Sequence, residues 1–83
     1  MKPLVKVVWS DAQDHPDNWV AEADVEAFGD VPCDIVSVGF LVSKTDKYLT
    51  LAGDWDEVDQ NYGRVTKIVT KMVISMNELT SAS

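Results

Sequence analysis

Eighty-three residues carry fourteen acidic against seven basic side chains, a formal net charge of −7. That balance argues against a phosphate-backbone binder, which normally needs a basic face, so nucleic acid is disfavoured as a partner. One cysteine, Cys33, excludes an intrachain disulfide, and a lone histidine offers no metal staple. A single domain this short buries only about 60–65% of its unfolded surface, so it has to be held by packing and gains from forming a homo-oligomer.

Taken in order, Met1, Lys2 and Pro3 precede too few apolar residues for a signal-peptide core, and no run approaches the roughly 18 apolar residues of a membrane span. The expectation is a cytoplasmic protein with no membrane partner. Leu4 to Trp9 alternates, with Val5, Val7 and Trp9 on one face and Leu4, Lys6 and Val8 on the other, as in a half-buried strand. Ser10 to Asn18 is polar, acidic and interrupted by Pro16, which predicts a loop. Trp19 to Phe28 places Val25 and Phe28 at helical spacing among alanines, with Gly29 as the expected left-handed cap. An extended segment over Trp19 to Glu22 is the alternative, since Trp and Val favour strands.

Ile35 to Gly53 is the centre of the chain. β-branched and aromatic residues flank the polar Ser43 to Lys47, which predicts a β-hairpin. Val36, Val38, Phe40 and Val42 share one face at period two and are the expected core, with Phe40 and Val38 buried; Ile35, Ser37, Gly39 and Leu41 share the other. Asp54 to Gly63 reads as a second acidic loop. Arg64 to Thr70 and Met72 to Met76 are further strands, so close that a sharp corner at Lys71 joins them. Residues 1–79 form one domain and 80–83 a frayed tail.

Five short strands with one short helix predict a mainly β fold, a small SH3-like or Sm-like barrel. The series V-G-F-L-V at Val38 to Val42, Y-L-T-L at Tyr48 to Leu51 and I-V-T-K-M-V-I-S-M at Ile68 to Met76 resembles the strand order of Sm-like barrels. V-V-W-S-D-A at Val7 to Ala12, Trp19, S-V-G-F-L-V at Ser37 to Val42, L-T-L-A at Leu49 to Ala52, and Glu78 with Leu79 resemble a set of small bacteriophage proteins. That resemblance implies the cytoplasm of an infected host, and it brings in a class of small phage proteins that sequester nucleotide immune signals.

The acidic clusters Asp11, Asp14, His15, Asp17 and Asp54, Asp56, Glu57, Asp59 match no calcium-loop pattern and are expected to be solvated, with no metal and no cofactor. His15 has no nucleophile on a recognisable elbow, and Cys33 reads as a small buried hydrophobe, so no enzyme is expected. The tryptophans are more informative, because an indole can pack in a core or stack on a planar ligand. A phage protein that binds and sequesters a small (cyclic) nucleotide immune signal without catalysis needs only stacking groups and phosphate donors. Trp9 and Trp19 are the candidate stacking groups, Asp11 an acceptor for an amine or hydroxyl, Arg64 the phosphate fork, and Lys67 and Lys71 secondary cations. The alternative is a phage interaction or structural module that meets a partner protein through its acidic surface.

Overall fold

The computed structural model describes residues 2–80; of the expected tail, 81–83 lie outside the described residues. The β-branched runs form strands and the Ala/Glu-rich segment forms the helix. The order is β1 (Leu4–Ser10), α1 (Glu22–Gly29), β2 (Asp34–Lys44), β3 (Tyr48–Asp56), β4 (Asn61–Val69), a 3-10 turn (Thr70–Met72) and β5 (Val73–Glu78). One antiparallel sheet runs β4-β3-β2-β1-β5. The fold is the expected small mainly β arrangement of five strands and one helix. The sheet curls without closing, since β4 and β5 follow one another in the chain yet lie at opposite edges.

The curl places Val5 and Val7 of β1 against Leu49 and Leu51 of β3 and Ile68 of β4, all buried, with Trp9, Leu41, Val73 and Met76 packed around them. The inward set on β1 is therefore the expected one. On β2 the expected face is reversed: Val36 and Val38 are 58% and 55% exposed and Phe40 is only half-buried, whereas Ile35, Ser37, Gly39 and Leu41 turn toward the core. The reason lies at the bend of β2. A Cβ on Gly39 would stand 2.7 Å from the Ala52 carbonyl oxygen, so the backbones of β2 and β3 approach there as only glycine allows. Ser37, one pleat along, accepts the Trp9 indole N–H at 3.0 Å. A bulge between Leu41 and Ser43 then shifts the register. Gly39→Ala is expected to destabilise the domain by about 1–3 kcal/mol through this overpacking, read as a lower urea midpoint; an unchanged midpoint would place the bend elsewhere.

Three further boundaries differ from expectation. The helix begins at Glu22, with Ala21 as its N-cap, and buries no residue. Glu22 and Asp24 suit the positive end of its dipole. Gly29 is the last helical residue with no positive φ, and the cap is Asp30 in the right-handed region. The second acidic loop shrinks to a tight turn over residues 57–60, because Asp54, Trp55 and Asp56 pair with Gly63, Tyr62 and Asn61. The rings of Trp55 and Tyr62 lie 4.8 Å apart, a cross-strand aromatic pair that supports strand structure in a polar segment. The β2–β3 turn is fixed by Thr45, whose hydroxyl accepts from the amides of Lys47 and Tyr48 at 3.2 and 2.9 Å.

Candidate functional site

Because β5 pairs with β1 so that Val73 faces Trp9, the 3-10 turn is brought beside the exit of β1. The corner is pinned from its other side: the Thr70 amide donates to the Lys47 carbonyl at 2.9 Å and its hydroxyl to the Thr45 carbonyl at 3.0 Å. Between these elements lies an open groove of about 540 Å³. Trp9, Ser10, Asp11 and Ala12 line one side, and Lys67, Ile68, Val69 and Met72 the other. Its volume falls in the range of small-molecule sites.

The groove's positions are held from behind. The indole N–H bond to Ser37 fixes the plane of Trp9. The Asp11 amide donates to the Cys33 carbonyl at 3.0 Å, tying the chain leaving β1 to the chain entering β2, and the Asp11 carboxylate accepts the Ala12 amide at 2.8 Å. Lys67 lines the groove while its ammonium lies 4.7 Å from the Tyr48 ring centroid, a cation–π contact on a flexible stem.

Three of the six expected site residues, Trp9, Asp11 and Lys67, therefore share one groove; the other three are placed elsewhere. Lys71 lines a smaller cleft with Asp46, Lys47, Tyr48 and Val69. Trp19 is 93% exposed and borders a cleft beside α1, where the His15 and Phe28 rings meet edge to face at 4.9 Å. Arg64 grips Asp54 with both ends of its fork, at 2.7 and 3.2 Å, over Gly53. Its φ of 51° lies in the left-handed region.

That clasp determines the electrostatics of Arg64. The hydrogen bond from Arg64 holds the Asp54 carboxyl below its ordinary 3.8, and the same bond raises the guanidinium. A depressed carboxyl contributes stability above its unfolded pKa and loses it as pH falls through the lower folded value. Asp54 is accordingly expected to titrate below 3.8 in a carbon-detected NMR titration, and to return to the ordinary carboxylate range in Arg64→Ala. An Asp54 that titrates alike in both proteins would show that the clasp is absent in solution. Both side chains are largely exposed, so the bond adds little to overall stability.

Met72, which lines the groove, and Ser37, which holds Trp9 from behind it, were not legible as site residues. Met72 read only as the start of a strand, and Ser37 as a polar position on the outward face. Among the described residues no three His, Cys, Asp or Glu side chains are grouped to hold a metal ion, and no helix is long and apolar enough to cross a membrane. Comparison with known protein families, curated proteins and solved structures yields no match.

Proposed function

We propose that this chain is a non-catalytic binding module that sequesters a small nucleotide in the groove between the exit of β1 and the 3-10 corner. The observation that carries the reading is the convergence of Trp9 and Asp11 with Lys67, remote from them in sequence, on one groove of small-molecule size. An indole held edge-on by Ser37 supplies a stacking face, Asp11 accepts from an exocyclic amine or a ribose hydroxyl, and Lys67 swings from Tyr48 to a phosphate. Met72 and Val69 close the apolar side. With Arg64 engaged by Asp54 and Trp19 out on the loop, the ligand is one that needs a single cation. A mononucleotide or cyclic dinucleotide fits that requirement better than a polyphosphate on an acidic chain. The likeness of the Val7 to Ala12 and Ser37 to Val42 segments to small phage proteins gives this activity a setting, removal of a nucleotide immune signal in the infected cell.

The test is a thermal-shift screen of the purified chain against mononucleotides, cyclic dinucleotides, cyclic trinucleotides and ADP-ribose isomers. A ligand present at 100 times its Kd stabilises by about 2.7 kcal/mol, a displacement of several degrees for a domain of this size. A flat response across the panel rejects the nucleotide. The second reading, a protein-interaction module, is favoured by Trp19, whose exposed indole stands among acidic residues, and a flat panel leaves that reading in its place.

A further inference from the structure

We infer that the outer face of the sheet is the self-association surface of a two-fold dimer, an assignment independent of the groove. The monomer leaves too much uncovered. Its accessible surface is 6541 Å², against roughly 4900 Å² for a compact monomer of its 9.2 kDa mass. Its radius of gyration is 16.7 Å, where about 12 Å is usual for this length. The surplus, roughly 1600 Å² per chain, is of the order that a permanent homodimer removes from each partner. The projecting loop and α1 contribute part of it, with Trp19, Val25 and Val31 exposed there, and the sheet face contributes a further apolar part.

Strand pairing sets Leu4, Phe40, Ala52 and Val65 in one row across four strands. The adjacent rows bring Val38 beside Lys6 and Val36 beside Val8. Of these, Leu4, Val36, Val38 and Val65 are exposed, Phe40 and Val8 are half-buried, and Ala52 is buried between Phe40 and Val65, so the open part of the patch lies on β1 and β2 with Val65 at its far border. These paired positions contain no carboxylate, and Asp54, two residues along β3 from Ala52 and on the same face, borders the patch with its charge held by Arg64. The fourteen acids of the chain lie instead in the segments 11–34 and 54–59, and at Asp46 and Glu78. Two −7 chains can therefore meet at this face without opposing their acidic segments, and depletion of charge at an apolar centre is what distinguishes the middle of an interface. Lys6, the one charged member, has a stem long enough to lie along the patch with its ammonium at the rim. A second copy is the occupant because the deficit is one of folding. It accompanies every chain at every concentration, and a copy of the same chain is the partner present in equal amount.

The experiment is sedimentation velocity on the full chain at tens of micromolar, with Val38→Asp as the variant. The wild type is expected at twice 9.2 kDa. Val38→Asp, which places two carboxylates in the apolar centre, should weaken the dimer at least about 30-fold, the factor of a hot-spot position. A wild type at monomer mass overturns the inference, and so does a dimer indifferent to Val38→Asp. Should that variant fail to fold, a nitroxide at Val38→Cys in a Cys33→Ser background decides. Packed sheets lie about 10 Å apart, so label separations within about 25 Å support the interface and longer ones reject it.

Discussion

Leu49→Ala is expected to cost about 2–5 kcal/mol, enough to leave a domain of this size largely unfolded at physiological temperature. Leu49 is 1% exposed and meets Ile68 across the β3–β4 pair while Val5 and Val7 cover it from β1. Truncation leaves a cavity that the curled sheet can close only by pulling β1 and β3 together, and Gly39 already holds β2 and β3 at their closest approach. Val58→Ala is the control. It removes apolar atoms from a side chain that is 90% exposed in the β3–β4 turn, and its effect is expected within about 0.5 kcal/mol. Urea unfolding of both variants reads the difference as a shift in midpoint at constant slope. A Leu49→Ala chain with the wild-type midpoint would show that the core is not where β1, β3 and β4 converge.

The same core shows what a sequence can and cannot disclose here. Leu4 to Trp9 contains a charged residue, Lys6, on one face only, so its inward side was legible. β2 has two apolar faces, and period two separates them without saying which one turns in. The face richer in valine was the reasonable choice. What decides otherwise is tertiary: the approach of the Ala52 carbonyl that requires Gly39, and the indole that requires Ser37. Small residues on the inner face of β2 were the signal, and their meaning depends on the strand opposite. The acidic stretch at Asp54 to Asp56 failed for a related reason. Its composition reads as a loop, yet Trp55 has Tyr62 across from it and Asp54 has Arg64, partners visible only once the β3–β4 register is known.

The corner at Lys71 was legible because two β-rich runs left no room for a longer connection, and the 3-10 turn at Thr70–Met72 is the tight connector that such spacing allows. Its consequence for the site was not. Linking opposite edges of the sheet carries Lys67, Ile68 and Met72 to the exit of β1, more than fifty residues away in the chain, and so builds a groove with Trp9 and Asp11. Arg64 attracted the phosphate role as the sole arginine, and its clasp with Asp54, across a strand pair, is a property of register rather than composition.

In the nucleotide reading, Trp9→Ala should weaken binding roughly 5- to 150-fold, the equivalent of about 1–3 kcal/mol of lost stacking. Trp9 also packs against the core, so a folded-state loss has to be separated from a binding loss. Trp9→Phe serves that purpose: it keeps an aromatic face in the groove and gives up the N–H bond to Ser37, at a cost in stability of about 1 kcal/mol. Titration calorimetry with the nucleotide that shifts the melting temperature should then rank wild type and Trp9→Phe close together and Trp9→Ala far below, at temperatures where all three remain folded. Lys67→Ala should bind more weakly than wild type and with a smaller dependence on salt, since it removes the cation among the described residues that line the groove. Arg64→Ala should bind as wild type does, because Arg64 lies over Gly53 and not in the groove. The reverse ranking, with Arg64→Ala deficient and the Trp9 and Lys67 variants normal, would move the ligand to the cleft that Arg64 shares with Ser37, Leu51 and Thr66 and would require Asp54 to release its partner.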